Sequence, residues 1–147
     1  MEIDKTIGKI LQGYQPACVV ITANELKIFD ELKQPATSKQ VAENRNLDPE
    51  ACTRLLNALT SLKIITKENN YYHLPQASQE YLVAGDSHSM QQWIKLSADL
   101  YPIWGQLATF IKSGVLIKSI MEMLGSDPHK MRAFTDAMHD KALKATW

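Results

Sequence analysis

The histidines and cysteines are the side chains of this sequence best suited to metal binding, yet their spacing does not favour a metal site. They are His73, His88, His129, His139, Cys18 and Cys52. Zinc sites draw on closely paired ligands, and these six residues show no such pairs. We therefore predict no metal site. Both cysteines lie within apolar helical patterns, so we interpret them as buried free thiols.

A serine, a histidine and an acid lie close together at residues 86–89, which read Asp-Ser-His-Ser. No Gly-x-Ser-x-Gly nucleophile elbow is present, so this run is better interpreted as a loop that caps the next helix. His139 and Asp140 lie on adjacent faces of the last predicted helix, which favours solvated side chains over a catalytic pair. The sequence therefore predicts no catalytic residue in this chain.

The glycines do not form a nucleotide-binding pattern. The chain has six of them, and no two are separated by a single residue. Phosphate and dinucleotide sites need closely spaced glycines that let backbone amides approach the ligand. The predicted elements also lack the strand–helix alternation of a parallel sheet. We therefore predict no Rossmann sheet and no cofactor-binding residue within this chain.

The composition is that of a globular protein without an excess of either charge. Lysine plus arginine equals aspartate plus glutamate, 16 each, among 147 residues of which 45% are hydrophobic. Dedicated nucleic-acid binders usually carry a basic excess. No apolar run approaches the roughly 20 residues that span a bilayer, and the N-terminus lacks the layout of a signal peptide. These features predict a cytoplasmic protein that binds neither membranes nor nucleic acid.

Residues 37–74 predict two helices followed by a β-hairpin, which is the order of a winged helix. Thr37 is placed to cap a helix over 38–44, and Asp48 with Pro49 starts a second helix. Residues 64–67 and 71–74 are rich in strand-forming side chains around a Glu-Asn-Asn turn. We predict a mainly α fold with a small hairpin. Its expected parts, which should together form one compact unit, are dimerisation helices in 1–35, a winged-helix core in 36–82 and a helical segment in 83–147.

The second helix of this winged helix has little to offer DNA. Between residues 49 and 62 the only charged side chains are Glu50 and Arg54, whose charges cancel. Phosphate contacts from lysine and arginine supply most of the affinity for DNA. A few polar contacts could be added by Thr53, Asn57 and Ser61 of this helix. Lys63 and Lys67 of the hairpin at residues 63–74, which we call the wing, could add a few more. A DNA-binding transcription regulator therefore remains the alternative interpretation.

The helices that flank the winged helix are more apolar than a small monomer requires. Ile3 and Ile7 begin a short amphipathic helix, and a continuous helix predicted over 17–32 has apolar residues around most of its circumference. Either the core or a second subunit covers its second side. If a second subunit does, Ile3, Ile7, Val20 and Ile21 are the candidate dimer contacts.

The second half of the chain is helical in pattern. A long apolar stripe runs from Trp93 to Ile111 and should kink or split at Pro102, and a compact helix is expected over 115–124. Asp127 and Pro128 start a last helix with an apolar face, which continues to Trp147 without a stop signal. We therefore expect the natural chain to continue beyond this residue.

A set of short segments follows a characteristic order along the chain. Residues 23–30 read Ala-Asn-Glu-Leu-Lys-Ile-Phe-Asp, and the segments that follow are Thr37–Ala42, Leu55–Leu59, Tyr72–Leu74, Ser78–Leu82, Trp104–Leu107, Gly114, Asp127–Pro128 and Phe134–Met138. In this order they resemble the N-terminal domain of small-molecule O-methyltransferases, the family of caffeic-acid and hydroxyindole O-methyltransferases and their bacterial polyketide-tailoring relatives. Residues 23–30 are similar to the family pattern A-x-E-L-G-I-F-D. Lys27 stands where the family has glycine, which costs nothing inside the continuous helix predicted here.

The resemblance implies a winged-helix-like module that forms a homodimer, followed in the parent protein by a Rossmann domain that binds S-adenosylmethionine. The catalytic histidine of that second domain has no counterpart here, so the chain alone is expected to be inert. Trp104, Phe134 and Met138 match elements that line the acceptor pocket, although a helical stripe of this kind is equally typical of a core. The resemblance thus implies a dimerisation and substrate-lid domain for a small-molecule hydroxyl acceptor. A docking domain within a larger biosynthetic assembly is a further possibility.

Overall fold

The computed structural model describes residues 3–83, 85, 88–115, 122, 125 and 128–143, and it confirms a mainly helical fold with one small antiparallel sheet. The helices are α1 (Ile3–Gln12), α2 (Tyr14–Glu25), α3 (Ile28–Glu31), α4 (Ser38–Arg45), α5 (Pro49–Ser61), α6 (Gln76–Leu82), α7 (Gln91–Trp104), α8 (Leu107–Ser113) and α9 (Pro128–Leu143). The strands are β1 (Ala36–Thr37), β2 (Thr66–Glu68) and β3 (Tyr71–His73). The chain divides into two compact units, residues 1–89 and 90–147.

The continuous helix predicted over 17–32 is wrong. Helix α2 begins earlier, at Tyr14, because Pro16 fits the first turn, where its missing N–H leaves no gap in the helix. The helix then breaks at Lys27, whose backbone is left-handed at φ 54° and ψ 35°. This turn redirects the chain so that Ile28 and Phe29 of α3 are completely buried. Lys27 therefore occupies a conformation that suits glycine.

The predicted starts of α4 and α5 are confirmed in detail. Thr37 and Gln40 form a capping box: the Gln40 N–H donates to Thr37 Oγ1 at 3.3 Å, and the Thr37 N–H donates to Gln40 Oε1 at 2.8 Å. Asp48 Oδ1 accepts a 2.8 Å hydrogen bond from the Ala51 N–H, with Pro49 at the first helical position. Local sequence signals are enough to begin both helices.

The sheet has the strand order β1-β3-β2, and all neighbours are antiparallel. The predicted hairpin is confirmed, since Asn69 and Asn70 both have positive φ, as a tight two-residue turn requires. Strand β1 was not predicted, because two residues are too few to show an alternating pattern. Its pairing of Ala36 with Tyr72 joins the start of α4 to the wing.

The core of the first unit lies where α2 to α5 meet the sheet. Its largest buried side chains are Tyr72, Phe29, Ile28, Leu32, Leu56, Leu59, Ile65, Leu74 and Val41. Tyr72 keeps its hydroxyl satisfied by donating a 2.8 Å hydrogen bond to Asn57 Oδ1. This bond fastens the wing to α5, as buried polar groups require a partner.

In the second unit, α7 packs against α9, and Ile94, Leu96 and Ala137 are buried. The apolar stripe does split, but at residues 105–106 and not at Pro102, which lies inside the last turn of α7. Gly114 ends α8 in a left-handed conformation, φ 69°, which is common for a glycine that follows a helix. The helix predicted over 115–124 and the Asp127 cap fall outside the described residues except at isolated positions.

Candidate functional site

One face of α1 presents a row of large apolar side chains to solvent. Together with the ring of Tyr14 at the start of α2, we call this row the α1 stripe. Its members are 49–71% exposed: Ile3, Ile7, Ile10 and Leu11 of α1, and Tyr14. None of the described residues of α1 is buried. Such a row at helical spacing is typical of a surface that meets another apolar surface. Of the predicted dimer contacts, Ile3 and Ile7 lie on this stripe.

The other two predicted dimer contacts lie on α2. Val20 packs partly against the core of the first unit, while Ile21 is half-buried. Ala23, one turn further on, is completely buried. Helix α2 therefore uses one side for the core and leaves other apolar positions partly open to solvent.

The three predicted pocket residues differ in exposure. Trp104, at the end of α7, is 71% exposed, and Phe134 and Met138 are half-buried one turn apart on α9. Leu107 and Ile111 of α8 are also exposed, at 48% and 71%. A role for these residues in binding an acceptor stays a prediction.

The outer face of α5 uses its polar side chains within the chain itself. Arg54 forms an ion pair with Glu50 one turn earlier, and the Thr53 hydroxyl donates to the Pro49 carbonyl at 2.8 Å. Ser61 donates likewise to the Asn57 carbonyl at 3.0 Å.

The wing lysine and the α5 amide are also engaged. Lys67 Nζ lies 3.4 Å from Asn57 Oδ1 and 4.8 Å from the centre of the Tyr72 ring. The polar side chains named for α5, together with Lys67, are thus engaged in contacts within the chain. This arrangement weighs against base readout by α5.

Both cysteines are free thiols, but only one is buried. Cys52 lies in the core with its Sγ 3.7 Å from the Ser38 carbonyl oxygen, and burial raises the pKa of its thiol. Cys18 is half-buried, so its predicted burial is wrong, because it lies on a partly open side of α2. Within the described ranges, histidine, cysteine and acidic residues form no cluster of three that could hold a metal ion. Nor does any helix there combine the length and apolar character needed to cross a membrane.

Sequence reasoning indicated most of the α1 stripe, because Ile10 and Leu11 continue the helical spacing of Ile3 and Ile7, and it missed Tyr14. It also missed a second surface. The outer face of the sheet bounds a cavity of about 310 Å³ near Glu68 and Tyr71. Its signal in the sequence is the alternation of side chains along the two hairpin strands.

Comparison with known proteins gives a family match over residues 9–84, to the O-methyltransferase dimerisation domain. The S-adenosyl-L-methionine-dependent methyl transferase PigF of a Serratia species is 33% identical over 106 residues, which are 70% of this chain and 30% of that protein. The N,N-dimethyltransferase OxyT of Streptomyces rimosus is 26% identical over 112 residues, 75% of this chain and 33% of that protein. The chain thus spans about a third of the length of these relatives.

Solved structures share the fold. An O-methyltransferase family protein from Burkholderia thailandensis aligns over 98% of this chain and 43% of its own, with a TM-score of 0.86 and 20% identity. Human N-acetylserotonin methyltransferase in complex with SAM aligns over 95% of this chain and 46% of its own, with a TM-score of 0.78 and 20% identity. The family match runs from the last turn of α1 to the end of α6 and includes the whole sheet. This chain therefore belongs to the O-methyltransferase dimerisation-domain family.

Proposed function

We propose that this chain is the dimerisation and substrate-lid domain of an S-adenosylmethionine-dependent O-methyltransferase that acts on a small-molecule hydroxyl acceptor. The observation that carries the proposal is the α1 stripe, which lies in and beside a family-matched segment. A row of exposed isoleucines and a leucine is costly in water, and a second copy of the chain offers a matching surface. The homodimer thus accounts for a surface that the described part of one chain leaves open.

The dimer can be tested at Ile7, which lies in the middle of the stripe. Replacing Ile7 with Gln removes about 1.5 kcal/mol of apolar burial from each copy, which weakens a symmetric dimer on the order of 100-fold. Lys9→Gln is the matched control, because it places the same side chain on the exposed surface of the same helix. Light scattering across a concentration series should show a dimer for the unmodified chain and for the Lys9→Gln control. The Ile7→Gln variant should dissociate at low micromolar concentration. A monomer for the parent sequence at all concentrations contradicts the proposal.

The lid role rests on Trp104, Phe134 and Met138. Flat aromatic and flexible thioether side chains suit a planar organic acceptor, and the exposure of Trp104 leaves its ring open to one. In a full-length protein that carries this chain, Trp104→Ala should raise KM for the acceptor while leaving the affinity for S-adenosylmethionine unchanged. Equal losses for both ligands argue against a lid.

We expect S-adenosylmethionine to bind to the remainder of the parent protein and not to this chain. Isothermal titration of the purified chain with S-adenosylmethionine should therefore give no binding heat. Stoichiometric binding would overturn this assignment. Because OxyT is named as an N,N-dimethyltransferase, the full-length protein should be assayed with matched hydroxyl and amine acceptors. Turnover of the amine alone refutes the hydroxyl assignment.

A further inference from the structure

The outer face of the sheet bounds a cavity whose chemistry the dimerisation role does not use. The cavity measures about 310 Å³, within the lower range of ligand-sized pockets. It is lined by Pro35, Thr66, Glu68, Asn69, Tyr71 and His73. This lining holds a carboxylate, a phenol ring and an imidazole ring, and no lysine or arginine.

The hairpin register explains why these side chains meet. Thr66 lies opposite His73, and Glu68 lies opposite Tyr71, so all four side chains project from the same face of the sheet. Lys67 lies between Thr66 and Glu68 in the chain and projects from the other face. It is held there over the Tyr72 ring. The hairpin strands thus place Lys67 and Glu68 on opposite faces of the sheet.

Two features fix the geometry of this face. Thr66 Oγ1 lies 2.6 Å from His73 Nδ1, so a hydrogen bond orients the imidazole ring. The tight turn at Asn69 and Asn70 holds the strands in register. Within the part of the chain that the structure describes, Glu68 forms no ion pair, and Tyr71 is 48% exposed. The cavity therefore offers an uncompensated negative charge beside an open aromatic ring.

We propose that this cavity binds an arginine side chain of a partner protein. The guanidinium group is planar, so it can form two parallel hydrogen bonds to the Glu68 carboxylate while it stacks on the Tyr71 ring. A lysine ammonium can form the ion pair but lacks the flat surface for stacking. The absence of a cationic side chain from the lining leaves the charge of Glu68 available to this partner.

The test uses N-acetyl-L-arginine amide as the probe and the ¹⁵N-labelled full chain as the target. Nuclear magnetic resonance titration should give saturable shifts at the amides of residues 66–73, with a Kd in the millimolar range that a single exposed contact allows. N-acetyl-citrulline amide is the matched control ligand, because it has nearly the same shape without the charge. It should bind at least fivefold more weakly.

Variants separate the contributions of the two side chains. Glu68→Gln should weaken the arginine probe at least fivefold, and Tyr71→Ser should do the same, whereas Tyr71→Phe retains the ring and should stay within twofold. Glu50→Gln alters a carboxylate of α5 that does not line the cavity and should have no effect. Thermal unfolding of each variant checks that the hairpin remains folded.

Three results would overturn the proposal. These are shifts that do not saturate, equal binding of the citrulline probe, and full retention of binding by a folded Glu68→Gln variant. Equal affinity for N-acetyl-L-lysine amide would refute the choice of arginine, because it would show that charge alone decides binding.

Discussion

At the level of single residues, Lys27 has a left-handed backbone, a conformation that a residue with a side chain disfavours. A non-glycine residue in the left-handed region costs roughly 1–2 kcal/mol, and glycine there recovers part of that cost after its own greater loss of chain entropy. We expect Lys27→Gly to raise the free energy of unfolding by about 1 kcal/mol. Urea denaturation followed by circular dichroism measures this directly.

The control for Lys27 is Lys39, an exposed lysine within helix α4. Because its backbone is helical, Lys39→Gly should lower the free energy of unfolding, by up to about 1 kcal/mol. A loss of stability for Lys27→Gly as well would show that the left-handed turn is not the source of strain.

The glycine of the family pattern was the one sequence signal for this turn. The apolar run on both sides concealed it, because such a run also predicts an unbroken helix.

Cys52 makes the stability of the core sensitive to alkaline pH. Burial raises the pKa of its thiol above the ordinary value of 9.0, so the folded state holds this proton more tightly than the unfolded state. The contribution of this thiol to the free energy of unfolding is fully present below pH 9, where the thiol is neutral in both states. Above pH 9 the free energy of unfolding falls, because the unfolded chain loses the proton first.

The Cys52→Ala variant isolates this contribution from other groups that titrate at high pH. The difference in free energy of unfolding between the parent chain and Cys52→Ala should be constant from pH 6 to 8 and should shrink as the pH rises above 9. A difference that stays constant across the whole range would show that this thiol is not linked to unfolding.

At the level of the elements, the contact between Tyr72 and Asn57 joins the wing to α5. Removing the hydroxyl with Tyr72→Phe leaves the ring in place and removes one buried hydrogen bond, worth about 1 kcal/mol. A double-mutant cycle with Asn57→Ala should give a coupling energy of similar size. Chemical denaturation of the four proteins provides the measurement.

The neighbouring Tyr71 supplies the control for this cycle. Its side chain lies on the outer face of the sheet, opposite Glu68 rather than against α5. Tyr71→Phe should therefore change the free energy of unfolding by less than 0.5 kcal/mol, the usual limit for a surface position. A coupling energy near zero between Tyr72 and Asn57 would mean that apolar packing alone holds the wing.

The elements that could be predicted from sequence are those with local start signals. Thr37 and Asp48 set the starts of α4 and α5 through hydrogen bonds to residues three positions further on, and Pro49 fits the first position of α5. Strand β1 could not be predicted, because it exists only through pairing with Tyr71 and Tyr72 far along the chain. The same holds for the sheet cavity, whose lining comes from both sides of the turn and from Pro35.

At the level of the whole molecule, sequence pattern identifies apolar faces but not which of them a single chain buries. Helices α1 and α2 both read as apolar, yet only α2 has a buried residue, Ala23. The stripe that contains Trp104 fitted an acceptor pocket and a core equally well, and this side chain is 71% exposed. The distinction depends on how elements pack in three dimensions, so it requires the structure.

If the α1 stripe forms the interface between two copies, folding and association are linked, and the stability of the protein depends on its concentration. Because only folded chains form the dimer, mass action raises the midpoint of thermal unfolding as the total protein concentration increases. We expect a clear rise in Tm between about 1 and 100 μM for the unmodified chain and for Lys9→Gln. The Ile7→Gln variant should unfold at a lower Tm that changes less with concentration, because less of it is dimeric. A Tm independent of concentration in all three proteins would leave the stripe without a role in stability, and it would favour contacts with another part of the parent protein instead.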